Sequence, residues 1–161
     1  MARLEGKVAL VTGSARGIGA AIAERLAADG AAVAVNYSKS ASQAEAVAER
    51  IRRIGAKAIV LKADVGERSQ AKTLVEGTVN QFGHLDILVN NAAAIGFQPI
   101  ERVDSGQLRR QLSVNVEGPI ATVQAAAPFF PKEGGRHQHH IARSALPAPR
   151  QHGLRGDERS D

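Results

Sequence analysis

The chain has 161 residues, enough for one domain, and 43% of them are hydrophobic, enough to build a core if its elements pair. It has no Cys, which excludes disulfides, thiol catalysis and cysteine-ligated zinc. The formal charge of +5 is spread without any run of Lys or Arg, and base-stacking aromatics are scarce (four Phe, one Tyr, no Trp), so no nucleic-acid partner is expected and the balance suits an anionic small molecule. No apolar run reaches the roughly 18 residues of a membrane span. Met1 to Gly6 carries no apolar leader, so the expectation is a cytoplasmic protein without a membrane partner.

No internal repeat is visible. Lys7 to Thr12 is a short β-branched run bounded by glycine, a first strand. Gly17 to Asp29 has helical spacing, with Ile18, Ala21, Ile22 and Leu26 expected on one face and Gly30 as the stop. Ala32 to Tyr37 reads as a second strand. Ser42 to Ile54 is helical, with Ala44, Val47, Ala48 and Ile51 on one stripe. Lys57 to Val65 begins with a third strand, Arg68 to Phe82 is helical up to Gly83, and Leu85 to Asn90 is a fourth strand. Ser105 to Phe130 reads as one long helix or two shorter ones, with Pro119 as a kink. Strand-then-helix units in series predict an α/β fold with a parallel sheet, and apolar rather than alternating strands predict helices on both faces. This is the Rossmann-type doubly wound pattern, with a ligand expected beyond the carboxyl ends of the strands.

The first strand runs into Thr12-Gly13-Ser14-Ala15-Arg16-Gly17-Ile18-Gly19, which opens a helix. Glycines there permit a tight turn and close approach to a pyrophosphate, and the helix N-terminus offers free N–H groups. The Thr-Gly-x-x-x-Gly-x-Gly order resembles the signature of the short-chain dehydrogenase/reductase family. Asp64-Val65 resembles that family's adenine-ring contact. Asn90-Asn91-Ala92-Ala93 resembles its Asn-Asn-Ala-Gly motif, with Ala93 in place of Gly. Ser113 to Val116 resembles the segment carrying the catalytic-tetrad Asn, here Asn115, which otherwise reads as a structural Asn bonding neighbouring backbone. The nearest branch by resemblance is that of 3-oxoacyl-carrier-protein reductases and sugar dehydrogenases.

The resemblance implies a nicotinamide cofactor and hydride transfer to or from a small-molecule carbonyl or alcohol. Enzymes selective for NAD hold the ribose 2′-OH with an acid at the end of the second strand. That end here reads Asn36-Tyr37-Ser38-Lys39, without a carboxylate, while Arg16 and Lys39 are placed to pair with a 2′-phosphate, unless both are plain surface charges. NADP(H) is therefore expected over NAD(H). The cofactor contacts expected are Thr12, Gly13, Ser14, Arg16, Gly17, Ile18, Gly19, Asn36, Ser38, Lys39, Asp64, Val65, Asn91, Ala92 and Ala93, with Asn115 as the one retained catalytic residue. Ala94 to Pro99 either lines the pocket mouth or is a plain surface loop. No metal is expected.

In the family a Tyr acts as general acid/base, with a Lys four positions on that lowers its pKa and a Ser that holds the substrate oxygen. Here the one Tyr is Tyr37 and no Lys follows Lys132. Composition also changes at residue 136: Arg136 to Asp161 contains no Val, carries four of the five His, and has Pro147 and Pro149. The expected organisation is a dinucleotide-binding part over residues 1–135 and a disordered tail over residues 136–161. Codon degeneracy permits a one-base shift under which codons for His137 to His139 give Ile-Asn-Ile. Under the same shift the codons from Gln151 to Arg159 give a stretch containing Tyr-x-x-x-Lys, so a frameshifted tail is expected. The alternatives are a metal site at His137, His139, His140 and His152, or nucleic-acid binding by five arginines.

The chain itself is thus expected to be catalytically inactive, with poor solubility and weak cofactor affinity. Its sheet is expected to be incomplete, with the order 3-2-1-4 and the later strands of the seven-stranded family sheet missing. The alternative function is a non-catalytic nucleotide-binding remnant. The resemblance implies a homo-oligomer for an intact parent, which half a fold does not guarantee.

Overall fold

The computed structural model describes residues 3–130. The expectations placed on the tail, its disorder, its shifted frame and its histidine cluster, lie outside these residues.

Four strands form one parallel sheet in the order β3-β2-β1-β4, as the sequence predicts. They are β1 (Val8–Val11), β2 (Ala32–Tyr37), β3 (Ala58–Lys62) and β4 (Ile87–Val89). β1 sits in the middle, with Ala9 opposite Val33 on one side and Ile87 on the other. Its four residues are all buried and alternate between two cores. Ala9 and Val11 face the core shared with α1 (Gly17–Ala28) and α2 (Ala41–Arg53). Val8 and Leu10 face the one built with α3 (Arg68–Phe82) and the last helices. An apolar strand with no polar face is what a doubly covered sheet requires.

The expected first strand is trimmed by one residue at each end, and the fourth by two at its start and one at its end. Thr12 donates its N–H to the Val89 carbonyl at 2.9 Å and turns into the glycine loop. The expected face of α1 is corrected. Gly19, Ala20, Ala23 and Ala27 are buried, while Ile22 and Leu26 only flank the core and Ile18 is 56% exposed. Small residues let this helix pack close to the sheet, and Ile18 is left for the cleft above it. The stripe expected on α2 is the one buried.

The segment expected as one long or two shorter helices is two. α4 (Ser105–Leu112) starts at Asp104, whose Oδ1 accepts from the Gln107 N–H at 2.8 Å. A π turn (Ser113–Glu117) joins it to α5 (Gly118–Ala126). Pro119 has no N–H to give the carbonyl four residues back. The Gly118 N–H instead bonds the Ser113 carbonyl, five residues back, so the break falls just before the proline.

Candidate functional site: a cleft at the carboxyl ends of the strands

A cleft of about 660 Å³ opens beyond the carboxyl ends of β1, β2, β3 and β4. Its floor is the loop between β1 and α1. The Thr12 hydroxyl accepts the N–H groups of Asn91 and Ala92, each at 3.0 Å, and so ties this loop to the one after β4. The Asn91 amide answers by donating to the Thr12 and Gly13 carbonyls at 3.0 and 3.1 Å. The two backbones touch: a Cβ on Gly13, whose φ is +62°, would lie 2.8 Å from the Ala92 Cα. A Cβ on Gly19 would lie 2.7 Å from the Gly13 carbonyl oxygen. Both positions therefore require glycine, one for conformation and one for space.

No side chain caps the N-terminus of α1; Arg16, just before it, has an extended backbone (φ −160°, ψ 171°). The first-turn N–H groups and the positive end of the helix dipole meet the cleft at Gly17, Ile18 and Gly19. Arg16 and Lys39 line the same cleft and neither has an ion-pair partner among the described residues. Across from them the Asp64 carboxylate is already engaged: Oδ1 accepts from the Gly66 N–H at 3.0 Å, and Oδ2 pairs with Arg110 of α4 at 2.7 Å. Among the described residues the wall near Arg16 and Lys39 is thus cationic and uncompensated, a fit for a phosphate.

The other end of the cleft is set by the π turn. Asn115 accepts the Ala94 N–H on Oδ1 at 2.9 Å and donates from Nδ2 to the Ala94 carbonyl at 2.8 Å. This pair of bonds holds the strand-four loop against the last helices.

A family profile described as short chain dehydrogenase matches residues 7–137. The chain belongs to the short-chain dehydrogenase family. It is 53% identical over 135 residues to an uncharacterized oxidoreductase of Methylorubrum extorquens, a match covering 84% of this chain and 54% of that protein. A short chain dehydrogenase from Burkholderia cenocepacia, solved in complex with NADP, superposes with a TM-score of 0.81 at 45% identity, covering 88% of this chain and 56% of the other. A blue fluorescent protein from a metagenomic library, solved in complex with NADPH, gives 0.76 at 41% identity, covering 80% and 53%. The chain spans about half the length of the relatives it matches.

Of the cofactor contacts expected for a short-chain dehydrogenase, the structure brings Gly13, Arg16, Gly17, Ile18, Gly19, Asn36, Ser38, Lys39, Asp64, Val65, Asn91, Ala92 and Ala93 to one cleft. Thr12 and Ser14 are buried behind it and work through the backbone they hold. Asn115 is not among the lining residues, and its side chain bonds neighbouring backbone. The loop from residue 94 contributes Ala94 and Ile95 to the lining. Sequence reasoning missed Ala15, Tyr37, Ser40, Gln43, Ala63, Arg110 and Val114. Ser40 and Gln43 follow the second strand by a few residues and were within reach of a motif argument. Arg110 comes from α4, far along the chain, and no local pattern announces it, whereas Val114 falls inside the Ser113 to Val116 segment singled out for Asn115. Among the described residues no group of His, Asp and Glu is arranged to hold a metal, and no helix is long and apolar enough to cross a membrane.

Proposed function

We propose that this chain is the NADP(H)-binding half of an oxidoreductase that moves a hydride between nicotinamide and a small carbonyl or alcohol. The observation that supports this most is Arg16 and Lys39, without an ion-pair partner among the described residues, beside a glycine loop at a strand end with no carboxylate to repel a 2′-phosphate. The uncapped N-terminus of α1 fits the pyrophosphate, and the NADP or NADPH bound to two structural relatives supports the same cofactor. The bound nicotinamide supplies the hydride chemistry; the residues of this chain hold the phosphates, shape the adenosine pocket and fix the loops around it. The 3-oxoacyl reductase and sugar dehydrogenase branch remains our reading of the substrate class, resting on motif resemblance.

The chain by itself is proposed to be inactive. Its single Tyr stands at the end of β2, and no Tyr-x-x-x-Lys occurs anywhere in the sequence to move the proton. The second reading, a nucleotide-binding remnant that never turned over in this form, rests on the same absence. Sequencing the coding DNA across codons 130 to 161 and beyond separates the two. If the other frame opens into Tyr-x-x-x-Lys, the parent is an ordinary reductase; if the given frame is confirmed, the remnant stands.

Cofactor choice is tested by titrating the chain with NADPH and NADH at one ionic strength. NADPH is expected to bind more tightly. Arg16→Ala and Lys39→Ala are each expected to weaken NADPH about fivefold, roughly 1 kcal/mol after solvent screening, and to leave NADH unchanged. Equal affinity for the two cofactors in the unaltered chain would overturn the NADP(H) reading.

A further inference from the structure

Asn36 is 1% exposed, and every polar atom of its side chain is committed to backbone. Its Oδ1 accepts the Gly13 N–H at 2.9 Å. Its Nδ2 faces three carbonyls, those of Ala63, Leu61 and Tyr37, at 3.1, 3.2 and 3.3 Å. Its own backbone closes a reciprocal pair with Ser14: the Asn36 N–H donates to the Ser14 hydroxyl at 3.0 Å, and the Asn36 carbonyl accepts the Ser14 N–H at 2.9 Å. The Ser14 hydroxyl in turn donates a hydrogen bond to the Val11 carbonyl at 2.7 Å. One side chain therefore binds the first glycine of the phosphate loop to the exit of β3, one residue before Asp64.

We infer that Asn36 is a positioning residue for the cofactor cleft: its carboxamide fixes the Gly13 and Ser14 end of the loop relative to β3. It acts through the loop instead of through a contact with the ribose. This rests on the reading of the cleft as a dinucleotide site and deepens it. The geometry demands an amide. The Gly13 N–H needs an acceptor, and the three carbonyls need a donor. A carboxylate supplies the first and would point its second oxygen at three carbonyl oxygens. No hydroxyl or apolar side chain spans both sides.

The consequence differs from that of a direct ribose contact. At the end of a second strand, an acid that touches the ribose switches preference from NADP(H) to NAD(H). An acid at a positioning site instead weakens both cofactors together. It also makes binding depend on pH, because the buried carboxyl can donate to the carbonyls only when protonated, which raises its pKa above the usual Asp value. Affinity and stability of Asn36→Asp should then be greatest in acid and fall as pH rises. Arg16 on the loop, Tyr37 and Lys39 at the end of β2, Asp64 after β3 and Arg110 of α4 are the titratable groups around the same cleft, and they are common to both proteins.

The test measures Asn36→Asp, Asn36→Ala and the unaltered 161-residue chain by NADPH and NADH titration from pH 5 to pH 8. It also follows amide hydrogen exchange at Gly13 without cofactor. Asn36→Ala should weaken NADPH and NADH alike, on the order of tenfold to a hundredfold, and should speed Gly13 exchange by a similar factor. Asn36→Asp should approach the unaltered chain at pH 5 and Asn36→Ala at pH 8. A selective loss of NADPH with NADH retained, flat across pH, would overturn the proposal in favour of ribose contact. Unchanged Gly13 exchange in Asn36→Ala would overturn it as well. If the unaltered chain binds neither cofactor, the dinucleotide reading of the cleft falls, and Gly13 exchange in the apo chain still decides whether Asn36 sets the loop.

Discussion

Thr12 shows how much of the cleft depends on single polar atoms placed behind it. Its buried hydroxyl receives two backbone N–H groups from the loop after β4. Thr12→Val keeps the shape and removes the acceptor, leaving both donors dry. The expected loss is about 1–3 kcal/mol in urea or thermal unfolding, with Thr12→Ser near the unaltered value. A Thr12→Val protein as stable as the parent would mean that water reaches those amides. Thr12 and Gly13 were legible in the sequence as members of a motif, yet their work was not. The motif places them at a turn, whereas the partners that explain Thr12 lie 79 and 80 positions away.

At the scale of elements, the two cores rest on the alternation along β1. Leu10 is fully buried in the face that α3 covers. Leu10→Ala is expected to cost about 2–5 kcal/mol, read as a lower urea midpoint. The π turn is a second case in which geometry follows from one residue. With Pro119 replaced by Ala, position 119 gains an N–H that can bond four residues back, and the segment can wind as a continuous α-helix. Asn115 then rotates away from Ala94, and hydrogen exchange at the Ala94 amide is expected to quicken roughly fivefold, the weight of one hydrogen bond. The sequence signalled a break near Pro119. It did not signal that the break would be a wide turn, because that depends on where the Gly118 N–H finds its acceptor.

For the molecule as a whole, the notable surface is the row Leu108, Leu112, Val116 and Ile120 along α4, the π turn and α5. All four are about half exposed, at 51%, 47%, 47% and 50%. Their spacing of four makes one stripe. β4, whose Leu88 and Val89 are buried, pairs with β1 alone among the described residues. Open strands and apolar stripes invite association. We expect the chain to self-associate as its concentration rises, seen in sedimentation or light scattering. The pair Val116→Asp and Ile120→Asp should lower that association without shifting the thermal midpoint. A chain that stays monomeric at all concentrations, with a cooperative transition raised by NADPH, would refute the expected poor solubility.

The sequence by itself determined the order of strands and helices, the parallel sheet and the glycine loop, because these follow from local periodicity and from backbone conformations that few residues adopt. It also determined the absence of a carboxylate at the end of β2, and with it the charge presented to a cofactor. Tertiary structure decided which groups share the cleft and what each one does there. It brought Arg110 to Asp64 across 46 positions of chain, turned Ile18 outward and packed small residues inward on α1. It also buried Asn36, which by position alone reads as a contact. A side chain's direction is fixed by the partners that fold against it, and those partners come from distant parts of the chain.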